Sequence, residues 1–84
     1  MPEQNLDLGG LVRTIVEPIV DHQDDVTIDE KTEENGDIRI EIHVNEDDAG
    51  KVIGRQGRVI KSIRTLTRAA GVRAGVHVDV ELID

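Results

Sequence analysis

The chain has to build its core without one aromatic side chain or one cysteine: Phe, Tyr, Trp and Cys are all missing from its 84 residues. Disulfides and thiolate metal sites are thereby excluded as staples, and stability must come from the packing of Val, Ile and Leu. A chain of this length supports one small domain with a single core. No apolar run approaches the roughly 18 residues that span a bilayer. The opening MPEQNLDLGG is acidic and lacks the basic start of a secretory signal. A soluble, cytoplasmic protein with no membrane partner is the expectation.

The apolar residues fall into two periods. Leu8, Leu11, Val12, Ile15, Val16, Ile19 and Val20 recur at helical spacing, which predicts an amphipathic helix over about residues 6–20. Pro18 cannot donate to the carbonyl four residues back and is expected to kink or shorten its last turn. A loop at Asp21–Asp25 precedes a short strand at about Val26–Glu30. Asn35-Gly36 is a turn signal between alternating segments, so a hairpin follows. Ile38, Ile40, Ile42 and Val44 then alternate with Arg39, Glu41 and His43, predicting a half-buried strand. Asn45–Asp48 offer a cap and acidic first-turn residues to a short helix ending near Ile53. A longer helix is predicted over about Arg58–Ala70, with Gly71 just past its end, and Val76, Val78, Val80 and Leu82 mark a last strand. The order is α-β-β-α-α-β. A three-stranded sheet with its helices packed on one face, an α+β fold, buries every apolar stripe.

Charge is distributed as unevenly as hydropathy. Residues Ala49–Gly75 contain Lys51, Arg55, Arg58, Lys61, Arg64, Arg68 and Arg73 and not one acid. That segment carries +7 and the remainder −15, against a formal net charge of −8. The acid excess reads as a device for solubility or salt, which does not explain its absence from this segment. A basic island in an acidic protein is a candidate anion-binding footprint. Overall acidity disfavours non-specific adhesion but not a local site, because screening acts over about 8 Å at physiological salt.

Inside the island, Gly54-Arg55-Gln56-Gly57 lies where one helical pattern stops and another starts. Two glycines at this spacing are common by chance and read equally as a cap and a tight turn. Their place between two helices adds a second reading. The Arg55, Gln56 and Gly57 amides are expected to point outward beside a helix N-terminus, an arrangement that binds phosphate. Glycine also lets a sugar-phosphate backbone approach closely. On the following helix Val59, Ile60, Ile63, Leu66 and Ala70 share one arc and are expected to face the core. Arg58, Lys61, Arg64 and Arg68 share another, with no acid at i±4 within the helix.

The run Val52-Ile53-Gly54-Arg55-Gln56-Gly57-Arg58-Val59-Ile60-Lys61-Ser62-Ile63 resembles the KH-domain signature I-G-x-x-G-x-x-I, which clamps single-stranded nucleic acid. The element order resembles the bacterial type II form of that domain. The whole chain, including its L-V-x-x-I-V-x-P-I-V-D-H segment, resembles the KhpA family of small single-KH proteins. The resemblance implies one KH domain over residues 1–84 that binds single-stranded RNA with low sequence specificity, as a post-transcriptional regulator or RNA chaperone. It implies that Gly54 and Gly57 keep the loop open while Arg55 and Gln56 meet phosphates. Lys51, Arg58, Lys61 and, further along the basic stripe, Arg64 would flank the path. Val52, Ile53, Ile60 and Ile40 are candidates for the wall against which bases lie, although Ile60 and Ile40 read more readily as core. The family is associated with homodimers and with a larger partner that carries a KH domain of its own.

Other functions find little support in the residues. RNA binding on an exposed sheet needs aromatics that this chain lacks, and Gly50-Lys51-Val52 breaks the P-loop frame. His43 and His77 would make at most a loose metal pair if their strands were neighbours. No nucleophile, base and orienting group can be assembled, so neither enzyme activity nor a cofactor or metal is expected. The alternative of a different kind is a protein-interaction or dimerisation module with a KH fold, in which RNA binding is incidental.

Overall fold

The computed structural model describes residues 7–83. Helix α1 spans Leu8–Val16, and the Asp7 carboxylate caps it by accepting from the Gly10 amide at 2.9 Å. Leu8, Val12 and Val16 are buried at successive i+4 positions. The helix was expected to reach residue 20 but stops at Val16. Pro18 has no N–H to donate to the Thr14 carbonyl, so the helical ladder cannot continue past Glu17, which itself keeps φ −56°, ψ −43°. Residues 17–19 form a turn closed by Ile19 N–H to the Val16 carbonyl at 3.0 Å, which returns Val20 to the core. The proposed start at residue 6 lies outside the described residues.

Strands β1 (Thr27–Thr32) and β2 (Ile38–His43) pair antiparallel with Glu30 opposite Ile40. The hairpin turns at Asn35-Gly36, where Gly36 has φ 92° and Asn35 Oδ1 accepts from the Asp37 amide at 3.0 Å. Pairing runs on to Thr32, two residues beyond the expected end of β1. The chain then passes through a turn at Glu46–Asp48, helix α2 (Ala49–Ile53) and helix α3 (Arg58–Ala74) before strand β3 (Val78–Ile83). This crossover sets β3 parallel to β2, with Ile38 opposite Val78, and the sheet order is β1-β2-β3.

Ile40 and Ile42 of the central strand and Val78 and Val80 of β3 face Val12, Val16, Val52, Ile60 and Ile63 in a core made only of Val, Ile and Leu. The opposite face of the sheet is a mat of ion pairs, among them Arg39–Glu81 at 2.6 Å and Lys31–Glu41 at 3.1 Å. The fold is the α+β, type II arrangement with the helices on one face of a three-stranded sheet.

Helix α3 is longer and turned differently from expectation. Gly71 is not its terminal glycine but lies buried within it. A Cβ there would stand 2.6 Å from Val78 Cγ2 and 2.9 Å from the Val76 carbonyl oxygen, so glycine permits close packing against the chain entering β3. The helix ends at Gly75 instead, with φ 76°. The Gly75 amide donates to the Val72 carbonyl at 3.0 Å and the Val76 amide to the Gly71 carbonyl at 2.9 Å, a Schellman end. The inward row is Ile60, Ile63, Thr67 and Gly71, and Leu66, expected inside, is 53% exposed. At about 100° per residue Leu66 lies roughly 105° from the centre of that row. Thr67 takes the core position, its hydroxyl donating to the Ile63 carbonyl at 2.6 Å.

Candidate nucleic-acid interface

Helix α2 ends because Gly54 adopts φ 79°, ψ 174°, a region essentially closed to residues with a side chain. A Cβ at Gly54 would lie 2.4 Å from Val59 Cγ2 and 2.8 Å from the Val59 amide nitrogen. The glycine is therefore required so that the first turn of α3 can pack against the end of α2. Gly57 differs. Its φ of 76° favours glycine, but a Cβ would meet only Lys61 Cε, at 3.9 Å. Between them Gln56 takes φ 58°, and no other described non-glycine residue has positive φ. Strain of this kind persists where the surrounding packing over-determines it.

The loop offers two outward amides rather than the three expected. The Gly57 N–H donates to the Gly54 carbonyl at 3.1 Å, and the Arg58 N–H to the Arg55 carbonyl. Among the described residues the Arg55 and Gln56 amides have no hydrogen-bond partner. They stand at the start of the 17-residue α3, which has neither a side-chain cap nor an acid in its first turn. The positive end of the helix dipole is thus left for an external anion.

The side chains divide sharply. Arg55, Arg58 and Lys61 are exposed and form no ion pair among the described residues, and Arg58 Nη2 reaches across the loop to Gln56 Oε1 at 3.3 Å. Lys51 does not join them. Its ammonium is bound by Asp21 and lies 3.6 Å from Asp48 Oδ1, toward the start of α2. Arg64 is half-buried and donates from Nε to the Val80 carbonyl at 3.0 Å, so it fastens α3 to β3. Of the four candidates for an apolar wall, Val52, Ile60 and Ile40 are core residues, and only Ile53, 41% exposed, faces solvent.

The metal pair also fails. The register sets His43 opposite Ile83, whereas His77 precedes Val78 at the other end of the sheet. His43 meets Asp29 at 3.3 Å and Glu41 at 4.0 Å instead. Lys31 and Arg39 already compensate Glu41.

What the residue pattern did not reveal is Asp48. It reads as a helix-capping acid, yet it is fully buried and its carboxylate accepts from three donors. These are the Asp21 amide at 3.1 Å, the His22 amide at 2.9 Å and His22 Nδ1 at 3.1 Å. Burial disfavours its charge, but the two amides and the imidazole outweigh that and lower its pKa to about 2. The hydrogen bond to Asp48, opposed by desolvation and aided by the charges of Asp48, Asp47 and Asp25, raises His22 above its ordinary 6.5. Lys51 is likewise raised, first by its hydrogen bond to Asp21. The only advance sign was the adjacency of Asp48 to α2, and a contact 26 residues away leaves no local pattern.

Three comparisons bear on this geometry. The family model for the KhpA/KhpB KH domain matches residues 10–82. The RNA-binding protein KhpA of Bacillus subtilis is 44% identical over 85 residues and covers both chains completely. The RNA-binding protein KhpA of Leifsonia xyli is 46% identical over 73 residues, covering 87% of this chain and 95% of its own. In solved structures the fold recurs in Aquifex aeolicus Era bound to GDP and AlF4−, with a TM-score of 0.61 and 19% identity. That match covers 90% of this chain and 30% of the Era chain, and at this identity it speaks for the fold alone. With the loop in place between α2 and α3, and with the family model spanning nearly all of it, this chain belongs to the KhpA/KhpB KH-domain family.

Proposed function

We propose that the protein binds single-stranded RNA through the Gly54–Gly57 loop, with phosphates held by the Arg55 and Gln56 amides and by the Arg55, Arg58 and Lys61 side chains. The observation that carries this reading is the pair of unpartnered amides at the uncapped start of α3, beside three unpaired cations. Relatives named RNA-binding proteins support it. Ile53 is the exposed apolar contact for a base. Without aromatics to stack on, binding is weak per domain, dependent on salt and of low sequence specificity. A cytoplasmic, non-enzymatic regulator or chaperone of many RNAs, built as a single KH domain, fits these properties.

A second reading has its own support. Leu66, 53% exposed, leaves apolar surface on the face of α3 that it shares with Ser62 and Thr65, away from the core. We infer that this face serves self-association or docking to a second KH-domain protein. It accompanies RNA binding rather than replacing it.

The test is binding of labelled single-stranded RNA at two salt concentrations, comparing wild type with the Arg55→Asp/Gln56→Asp variant, whose fold is checked by circular dichroism. Binding that weakens with salt and disappears in the folded variant supports the loop. Equal binding by both proteins, or none by either, refutes it and leaves the interaction module as the better account.

A further inference from the structure

Lys51 sits on α2 one helical turn before Gly54, yet its ammonium is occupied from within the chain. The contact is built rather than incidental. Asp48 is buried and immobilised by three N–H donors. Its Oδ1 accepts from the Asp21 amide and also faces Lys51 Nζ. The same buried carboxylate therefore pins the backbone of Asp21 and delivers that residue's side chain onto Lys51. Asp21 itself is 72% exposed. An ion pair of that exposure is weak and exchangeable.

The local charge also matters. Asp21, Asp48 and Lys51 together carry −1, and a protonated His22 brings the group to zero. Asp24, Asp25 and Asp47 add further negative charge nearby. In neither protonation state does this flank attract a phosphate, whereas the unpaired Arg55 in the loop and Arg58 and Lys61 in the first turn of α3 do.

We propose that Asp21 acts as an internal competitor for phosphate, occupying Lys51 and thereby limiting the affinity of the loop for nucleic acid. The proposal rests on the RNA-binding reading above and adds to it a residue that sets binding strength without touching the RNA. A carboxylate and a phosphate oxygen present the same chemistry to an ammonium, so removing the Asp21 charge leaves Lys51 facing only Asp48 Oδ1, at 3.6 Å, and open to a phosphate oxygen. Asp21→Asn keeps the backbone amide that Asp48 holds and removes only the charge.

The experiment is fluorescence anisotropy with a labelled oligouridylate over a salt series, using wild type, Asp21→Asn, Lys51→Ala, the double variant and Arg55→Asp, with thermal melts as fold controls. Asp21→Asn is expected to bind about threefold more tightly. Its log K against log salt should steepen by about 0.7, the increment for one more single-strand phosphate contact. Lys51→Ala should leave the wild-type affinity within about twofold but abolish the gain in the Asp21→Asn background. Unchanged or weaker binding by Asp21→Asn overturns the proposal. So does a Lys51→Ala loss of equal size in both backgrounds. Arg55→Asp separates the two levels: if wild type binds and Arg55→Asp does not, a null result for Asp21→Asn removes this proposal alone. If Arg55→Asp binds as wild type does, or no protein binds, the loop reading has failed and the masking proposal falls with it.

Discussion

Gly54 and Gly57 look interchangeable in the sequence and are not interchangeable in the fold. Gly54 faces the Val59 backbone and side chain at distances no real Cβ shows, and it has φ 79°. Gly54→Ala is expected to cost about 3 kcal/mol or more, from overpacking added to backbone strain. Gly57→Ala meets only Lys61 Cε, at an ordinary contact distance of 3.9 Å, and should cost only the left-handed penalty, about 1–2 kcal/mol. Urea unfolding of both variants checks the order; equal losses would mean that the two glycines answer to conformation alone. The presence of the loop and its position between helices were legible from residues 52–63, because helical periodicity breaks there. Which glycine is structural was not, since that depends on where Val59 lands. What Lys51 and Arg64 touch in the fold was not legible for the same reason. Their partners, Asp21 and Val80, are 30 and 16 residues distant.

At the level of elements, local pattern carried the order and most of the boundaries. Alternation marked β2, Asn35-Gly36 marked the hairpin, and Pro18 announced the early end of α1. The rotation of α3 was not legible. Apolar periodicity placed Leu66 inside, but the sheet selects the small residues Thr67 and Gly71 for closest approach. This assigns Gly71 a packing role that a substitution can test. Alanine is the better helix former by about 1 kcal/mol, yet its methyl would press into Val78 and the Val76 carbonyl. Gly71→Ala should be destabilising by about 1–2 kcal/mol net, read by chemical denaturation. A stabilised variant would show that α3 can shift away from β3 at no cost.

For the whole molecule, the Asp48 lock joins the segment after α1 to the start of α2, and it titrates. His22 has a raised folded pKa, so its contribution is complete below the unfolded value of 6.5 and is lost as pH rises through the folded one. Asp48 is depressed to about 2 from 3.8, so its contribution is present above 3.8 and is lost as pH falls toward 2. The lock is strongest from about pH 4 to 6.5. The difference in melting temperature between wild type and His22→Ala should be largest in that window and shrink as pH rises beyond it. A difference independent of pH would mean that His22 acts through packing only. By itself, the sequence determined which segments become helices and strands, that the core is aliphatic, and that positive charge gathers around one glycine loop. These follow from short-range periodicity and composition. Tertiary structure alone decided which cations remain free, which glycine is indispensable and that one buried acid organises the flank of the loop. Each depends on atoms brought together from distant parts of the chain, where no local pattern records the contact.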